Sequence, residues 1–368
     1  MLEYLILYLL FGCLSLVGSF ADESQKKKVH KVQNIICFIA VFALIACRHP
    51  SMGIDLAWKG KKADAGYLPF FDWVANNLYR PFSEFYTIIS RDFKFEKGFS
   101  LFLWLVAHVS RDRQVLLAIT AFISLFPIAV LFSRKSRDPV LSWVIYMALS
   151  PYLLLYSGLR QSMAIGLAAL MYLLAEDKRW FLFLLTGALA FSVHKSAVLL
   201  FLIAPLMYIR IGKLLRILSV AAFAVLFVFM KRIVTLMIEM FPQYSYMFNS
   251  KETGAYRFFL VLVMIYVICA MGTDGSWFQN AYMNLFYLSC AFQLFGMVSN
   301  VAARAGFYFM NALCVLLPDV IDNIKVEDNS VLLKLGTTVC FSLWGLYCIY
   351  STGWSMAYPY YWFWEAVA

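Results

Sequence analysis

The sequence predicts an all-α, polytopic integral membrane protein, and both its composition and its pattern support this fold class. Of its 368 residues, 63% are apolar and 14% are charged, whereas an ordinary soluble domain carries about 25% charged residues. The apolar residues form long unbroken runs, while the strands of a membrane β-barrel alternate polar and apolar residues over about ten positions. A water-soluble enzyme is therefore excluded, and a helical membrane protein is favoured.

About twelve apolar runs are predicted to cross the bilayer, because a crossing takes about 20 apolar residues. They lie near residues 1–20, 32–47, 114–132, 139–157, 160–175, 180–193, 195–209, 214–230, 258–271, 280–297, 304–320 and 331–350. A further run, 99–110, would extend only about 18 Å as a helix, so we expect a half-helix or a surface helix there. We expect the whole chain, 1–368, to form a single transmembrane domain.

Basic clusters predict how these helices are oriented. Residues 26–28 and Lys31 supply four lysines directly after the first run, which places this loop in the cytoplasm because retained loops collect Lys and Arg. The later basic loops around Arg134, Lys178 and Arg216 then fall on the cytoplasmic side as well. The net charge of +10 has the same explanation, so we expect no nucleic-acid partner.

The same topology places three larger pieces on the outer side of the membrane. The loop 48–98 is aromatic, mixed in charge and contains Pro69 and Pro81, which indicates a folded cap on the membrane and not a flexible linker. The segment 231–257 and the tail from Ser351 fall on the same side.

Polar residues at the outer ends of the predicted helices are the candidates for function, since burying a charge in a membrane costs several kcal/mol unless it is paired or used. They are Arg48, Asp55, Glu96, Arg160, Gln161, His194, Lys195, Ser196 and Arg304. The helix from Arg160 descends about 24 Å, and the next run climbs back about 21 Å to His194. We therefore expect a helical hairpin to return His194 to the membrane level of Arg160. Gly166 and its neighbouring alanines would allow close packing against another helix.

A site of this composition suits chemistry on a phosphorylated lipid. Guanidinium groups grip phosphate through two hydrogen bonds and would stabilise charge on a pyrophosphate leaving group. A hydroxyl nucleophile needs a positioned base, which His194, Asp55 or Glu96 would supply. No DxD-type carboxylate pair lies on the outer side, and the eight cysteines lack zinc-ligand spacing. We therefore expect a metal-independent reaction without a cofactor.

At these residues the sequence resembles the EpsG-like branch of the Wzy-type bacterial polysaccharide polymerases, which include O-antigen and exopolysaccharide polymerases. The strongest similarity covers residues 158–200, which contain GLRQSMAIGLAALMYLL and AFSVHKSAVLL. Supporting similarities are Arg48 with Gly53 and Asp55, the Glu96–Gly98 element, Arg304, and Tyr358-Pro359-Tyr360. Lys195 departs from the family, which often has a neutral residue at that position.

The resemblance implies a multi-helix glycosyltransferase with a GT-C-like fold in the bacterial inner membrane. Such enzymes join oligosaccharide repeat units carried on undecaprenyl pyrophosphate at the outer, periplasmic face. The growing chain passes from its lipid carrier onto a new lipid-linked unit, and undecaprenyl pyrophosphate is released. The implied partners are this lipid-linked donor and acceptor, the lipid bilayer, and a Wzz-type co-polymerase that controls chain length.

The hypotheses for the phosphate-binding residues and the base follow from this resemblance. Arg160 and Arg304 would bind the donor pyrophosphate, and Arg48 would help on one of the lipid phosphates. His194 is the first choice for the base that accepts the proton of the acceptor hydroxyl, with Asp55 or Glu96 as the alternatives.

The remaining candidates would contact sugars or orient the base. Gln161 and Ser196 would orient sugar hydroxyls or His194, and Lys195 would bind the pyrophosphate or the sugars of the substrate. Tyr358 and Tyr360 would stack on sugar faces, as would other aromatics of the loop 48–98 and the tail, which are Tyr67, Phe70, Phe71, Trp73 and Trp362. A place in the aromatic belt at the membrane interface explains each of them equally well.

Three other functions stay open at this point. An O-antigen ligase would use the same donor but transfer the chain to a lipid A core. A lipid-linked oligosaccharide transporter or flippase would line a path with these arginines, but transporters usually carry inverted repeats and charges near the bilayer midplane. A membrane acyltransferase would use His194 as its base, but the sequence has no recognisable acyl-donor element.

Overall fold

The computed structural model describes residues 1–56, 66–92, 95–209, 212–240, 255–272, 280–296, 299–323, 330–353 and 355–366. Within these ranges the regular secondary structure is helical, and the β-pairing is an isolated antiparallel bridge between Arg48 and Trp362. The predicted all-α class is therefore confirmed.

The helices, in chain order, follow the predicted apolar runs, except for two helices that lie in the loop 48–98. They are α1 (Leu2–Ser19), α2 (Glu23–Ala46), α3 (Tyr67–Asn76), α4 (Phe82–Asp92), α5 (Lys97–Val109), α6 (Arg113–Lys135), α7 (Pro139–Met147), α8 (Ser150–Ser157), α9 (Leu159–Glu176), α10 (Trp180–Val193), a 3₁₀ helix (Lys195–Leu202), α11 (Ile203–Tyr208), α12 (Lys213–Met240), α13 (Ala255–Met271), α14 (Ala281–Phe295), α15 (Asn300–Asn323) and α16 (Ser330–Ser351). Each predicted crossing coincides with one helix or with two consecutive ones, and the run 99–110 forms α5.

Several of these helices are long and apolar enough to cross a bilayer. Among the described residues five helices meet this condition, and a sixth span results if α7 and α8, which meet at an angle of 62°, are counted together. Pro151 lies in the first turn of α8, where a proline supplies no N–H to continue the preceding helix. Large apolar side chains such as Phe181 (77% exposed) and Leu218 (55% exposed) face outward, as a lipid environment requires. The chain is a membrane protein, and the number of twelve crossings stays a prediction.

The chain divides into two compact units, which are described separately. The first contains Met1–Val198 and Val326–Ala368, and the second contains Leu199–Lys325. The expectation of a single transmembrane domain stays a prediction.

Helices α6 and α9 pack closely in the first unit because Gly166 carries no side chain. A Cβ at Gly166 would lie 2.5 Å from the carbonyl oxygen of Ser124, so the close approach predicted for this face is confirmed. At the far end of the two helices, Arg134 pairs with Asp177 at 3.0 Å, and Lys135 pairs with the neighbouring Glu176. The ion pair with Arg134 lowers the pKa of Asp177. The loops after α6 and after α9, both predicted to be cytoplasmic, therefore lie at the same end.

The loop 48–98 contains two helices, α3 and α4, that share a core with α5. Phe70, Phe85 and Phe99 are fully buried in this core. The same core includes Met163 of α9 and Val193 of α10. The described part of the loop is therefore folded onto the helices, as the sequence predicts, and its place on the outer face stays a prediction.

The C-terminal tail returns to the end of α2. The N–H of His49 donates to the carbonyl of Tyr361 at 2.8 Å, and the N–H of Phe363 donates to the carbonyl of Cys47 at 2.9 Å. These two bonds flank the bridge between Arg48 and Trp362. The tail is thus fixed to the segment that joins α2 to the loop 48–98.

In the second unit, α14 and α15 form a hairpin, and a buried arginine joins α12 to its neighbours. Gly306 lies so close to α14 that a Cβ there would approach the carbonyl oxygen of Ser289 to 2.9 Å. Arg216 donates from Nη1 to the Tyr266 hydroxyl at 3.0 Å and from Nη2 to Asn284. Arg216 is only 3% exposed, so the sequence-based interpretation of this residue as a loop cation is incomplete.

Candidate functional site

A single carboxylate, that of Glu96, joins three helix ends in the first unit. Its Oε2 accepts a hydrogen bond from Nη1 of Arg160, at the start of α9. Its Oε1 accepts a hydrogen bond from the backbone N–H of Lys195 at 3.2 Å and lies 3.7 Å from Nδ1 of His194. The helical hairpin of α9 and α10 thus returns His194 to the level of Arg160, as the sequence predicts.

The site is partly open. The side chain of Glu96 is 10% exposed, and those of Arg160 and His194 are 21% and 22% exposed. A partly buried ion pair is screened by water less than a surface pair, and its residual exposure leaves room for a ligand to approach.

The close contact between α5 and α10 positions Glu96. A Cβ at Gly98 would lie 2.2 Å from Oγ and 2.7 Å from the carbonyl carbon of Ser192. Because Gly98 lies two residues after Glu96 and Ser192 lies two residues before His194, this glycine brings the carboxylate and the imidazole together. Gly98 belongs to the Glu96–Gly98 element found in the sequence. The structure shows that a glycine at this position allows α5 to approach α10 closely.

Three aromatic rings surround the guanidinium of Arg160. Its central carbon lies 4.7 Å from the ring centroid of Phe95, 5.7 Å from that of Tyr67 and 5.9 Å from that of Phe99. Nε of Arg160 also donates to the hydroxyl of Tyr67 at 3.1 Å. Burial raises the pKa of Tyr67, against the opposing effect of the Arg160 cation, so this phenol stays neutral at physiological pH. We call Tyr67, Phe95 and Phe99 the aromatic box.

The sequence alone does not predict the aromatic box. It predicts that Tyr67 stacks on sugars, and it assigns no role to Phe95 or Phe99. The available signal was their position, since Phe95 and Phe99 flank the Glu96–Gly98 element directly.

Four further predicted residues lie in the same unit. The carbonyl of Asp55 accepts from the N–H of Tyr67 at 3.0 Å, which links this residue to the aromatic box through the backbone. Gln161 is buried beside Arg160 in α9, Ser196 is half-buried, and the side chain of Lys195 is exposed.

Arg48 lies in a different environment within this unit. Its side chain is fully buried, and it donates from Nη1 to the carbonyl of Ile45 at 2.6 Å and from Nη2 to that of Leu155 at 3.0 Å. Its guanidinium lies 5.4 Å from the ring centroid of Tyr156. Burial lowers the pKa of Arg48 to about 10, which leaves the group protonated at neutral pH. The structure therefore places Arg48 between the ends of α2 and α8, where it contacts backbone carbonyls.

The tail tyrosines occupy two different environments. Tyr360 is 6% exposed, and its hydroxyl donates to the carbonyl of Leu44 at 2.8 Å. Tyr358 is 40% exposed and contacts the ring of Tyr350 at a centroid distance of 5.6 Å. Of the two, only Tyr358 presents a large ring surface to a ligand.

Arg304 lies near the start of α15 in the second unit and is half-buried. Its predicted role in phosphate binding stays a prediction. Within the described parts of the chain, no group of three or more His, Cys, Asp or Glu side chains has a geometry that would hold a metal ion.

Comparison with known families decides the affiliation of the chain. The sequence profile of the EpsG family matches residues 31–362. The chain belongs to the EpsG family. The matched range contains Glu96, Arg160 and His194, together with the aromatic box and Arg304, so the family resemblance found in the sequence is confirmed. Neither a curated protein nor a solved structure matches this EpsG family member.

Proposed function

We propose that this EpsG family protein is a membrane glycosyltransferase that polymerises oligosaccharide repeat units carried on undecaprenyl pyrophosphate. The observation that carries the proposal is the Glu96 carboxylate held between Arg160 and His194. This arrangement combines a permanent cation for a phosphorylated leaving group with an oriented imidazole for a hydroxyl nucleophile. Family membership supports a role in polysaccharide polymerisation.

Arg160 is proposed to bind the donor pyrophosphate. Its Nε donates to Tyr67 and its Nη1 to Glu96, and among the described residues Nη2 has no hydrogen-bond acceptor. In our proposal, the Nη2 edge of the guanidinium binds the donor pyrophosphate. A fixed cation beside the departing oxygen stabilises charge that develops in the transition state. Arg304 is the second proposed phosphate ligand, on the strength of the family resemblance.

His194 is proposed to be the base, and Glu96 its positioning residue. A carboxylate that faces Nδ1 favours the tautomer with the proton on that nitrogen, which leaves Nε2 to accept a proton. The acceptor hydroxyl oxygen would then form a bond to the anomeric carbon of the donor chain. The bond from this carbon to the phosphate oxygen would break, the hydroxyl proton would pass to Nε2, and undecaprenyl pyrophosphate would leave.

The remaining parts of the proposal concern location and partners. We place the reaction at the periplasmic face of the bacterial inner membrane, on a GT-C-like fold with about twelve crossings and the loop 48–98 as a cap. The basic loops of the sequence support this orientation. The proposed partners are the lipid-linked donor and acceptor and a Wzz-type co-polymerase.

Reconstitution tests the proposal. Purified protein in liposomes would receive the lipid-linked repeat unit extracted from a strain that lacks this gene, with EDTA and without nucleotide. We expect a ladder of products. Arg160→Ala should lower the rate of product formation by at least about 100-fold, as the loss of one transition-state hydrogen-bond donor does. His194→Ala should lower turnover by about 10²–10⁴-fold, as the loss of a general base does.

Arg113→Ala is the matched control, because Arg113 forms an exposed ion pair with Asp72 in the same unit. It should leave the ladder unchanged. Normal ladders from both Arg160→Ala and His194→Ala would remove the proposed site. A single addition to lipid A core would indicate a ligase, and lipid movement between leaflets without product would indicate a transporter. Loss of the ladder in EDTA would show that the reaction needs a divalent cation.

A further inference from the structure

The contact between Tyr67 and Arg160 is more specific than packing requires. The hydroxyl of Tyr67 accepts the Nε–H of Arg160 at 3.1 Å, and Tyr67 is only 7% exposed. A buried hydroxyl that accepts from a charged donor contributes more than an ordinary neutral hydrogen bond. This bond also fixes the guanidinium plane, because Nε is the one nitrogen that cannot rotate away from the side-chain axis.

The rings of the aromatic box hold one another in place. Tyr67 and Phe95 stack with their centroids 5.7 Å apart, and Phe99 contacts each of them edge-on at 5.5 Å. Phe99 is fully buried in the core that joins α3, α5 and α9. The box is therefore a rigid support, and the guanidinium it surrounds has little freedom to turn.

The box and Glu96 together leave one defined edge of Arg160 available. Tyr67 uses Nε, Glu96 uses Nη1, and the ring of Phe95 lies closest to the guanidinium, at 4.7 Å. Among the described residues, Nη2 donates no hydrogen bond, whereas Nε and Nη1 each donate one. A guanidinium held in this way presents its remaining N–H groups in a fixed direction, which is what binding of a planar pair of phosphate oxygens requires.

We propose that Tyr67 is a positioning residue, which orients Arg160 so that its Nη2 edge meets the pyrophosphate of the donor lipid. This inference rests on the proposed function, and it replaces sugar stacking as the role of Tyr67. It also predicts that position 160 requires an arginine. A lysine would keep the charge but would have no Nε–H for the hydroxyl of Tyr67 and no planar group for the box.

A double-mutant cycle tests this role. Binding of farnesyl pyrophosphate to the detergent-solubilised full-length protein would be measured by titration for the wild type, Tyr67→Phe, Arg160→Lys and the double variant. We expect Tyr67→Phe to weaken binding about tenfold, the loss typical of one hydrogen bond to a charged group. In the Arg160→Lys background, Tyr67→Phe should change binding less than twofold, because the bond is already absent.

Two controls separate this role from a general effect on folding. Tyr79→Phe removes a hydroxyl from an exposed tyrosine in the segment between α3 and α4, and it should leave binding unchanged. The melting temperature of Tyr67→Phe should stay within a few degrees of the wild type. A second variant, Phe95→Leu, keeps the apolar contact and removes the ring, and it should weaken binding severalfold through the lost cation–π contact.

The possible failures are distinguishable. If the wild type binds farnesyl pyrophosphate and Tyr67→Phe binds it equally well, the role of Tyr67 is wrong while the proposed function stands. The same holds if Tyr67→Phe weakens binding to the same extent in the Arg160→Lys background. If the wild type binds no prenyl pyrophosphate, the proposed donor site itself is overturned, and the role of Tyr67 with it.

Discussion

At the residue scale, Arg48 and Arg160, which both lie in the first unit, show how the same side chain can have different roles. Arg160 is partly exposed and shares a carboxylate with His194. Arg48 is fully buried, and its bonds go to the carbonyls of Ile45 and Leu155. Removal of a buried donor leaves its acceptors unsatisfied, which costs about 1–3 kcal/mol for each acceptor. Arg48 therefore stabilises the ends of α2 and α8, and with them the docked tail.

Arg48→Met tests this structural role at the residue scale. Methionine fills similar space but donates nothing, so we expect a loss of about 2–5 kcal/mol in the free energy of unfolding. Faster proteolysis of the C-terminal tail should accompany the loss. Thermal unfolding in detergent measures the first effect, and limited proteolysis measures the second.

Arg80→Met is the control for this variant, because Arg80 forms an exposed pair with Glu84 and its loss should be close to neutral. An unchanged melting temperature for Arg48→Met, combined with lost binding of farnesyl pyrophosphate, would contradict the structural role. That result would instead favour the phosphate contact that the sequence suggested.

At the element scale, the site depends on how closely α5 approaches α10. Gly98 and Ser192 are in such close contact that no side chain fits at position 98. The two helices carry Glu96 and His194 at their adjoining ends. A displacement of about 1 Å in such a site can lower a rate about 100-fold, so the helix contact is as important to the proposed chemistry as the polar residues themselves.

Gly98→Ala tests this contact. The new Cβ would lie 2.7 Å from the backbone carbonyl carbon of Ser192, so one helix must move, and we expect polymerisation to fall by about 10–100-fold. Ser192→Ala should not rescue the variant, because the backbone clash remains. The product ladder of the reconstituted protein gives the measurement.

Gly336→Ala is the matched control, since a Cβ at that position of α16 meets no atom within 4 Å. It should retain full activity and gain slightly in stability, because alanine favours a helix more than glycine does. Wild-type activity for Gly98→Ala would show that the close approach of α5 and α10 is dispensable.

At the scale of the whole molecule, two ion pairs show which ends of α6 and α9 lie together, and this can be compared with the predicted topology. Arg134 and Lys135 pair with Asp177 and Glu176 at one end of α6 and α9. The Arg160 cluster lies at the opposite end of α9, where this helix begins. The basic loops and the candidate site should therefore face opposite sides of the membrane.

Cysteine labelling tests this arrangement. In a variant without the eight native cysteines, Tyr79→Cys should react with a membrane-impermeant maleimide on spheroplasts. Arg137→Cys and Lys178→Cys should react only in inverted vesicles, since both lie at the paired end of α6 and α9. Labelling of residues 137 and 178 from opposite sides of the membrane would contradict the packing of α6 against α9. Labelling of residues 79 and 178 from the same side would overturn the proposed orientation.

The sequence by itself determined that the chain is a helical membrane protein, where its long apolar helices lie, and that Arg160 and His194 come to one level. These properties depend on local composition and on the length of each helix. Both are set within single segments of about twenty residues. The 158–200 motifs also led to the correct family. The sequence did not predict α3 and α4, or that α12 continues to Met240 into the segment 231–257.

Only the tertiary structure decided which polar groups meet. Glu96 contacts His194 because Gly98 permits close packing with Ser192, which lies far along the chain. Tyr67 meets Arg160 because α3 folds onto α5 and α9 in one core, and Arg48 is enclosed once the tail docks beside α2. Contacts of this kind depend on the shapes of surfaces that are distant in sequence. A pattern of residue types shows that a charge needs a partner, and the packing of the helices selects that partner.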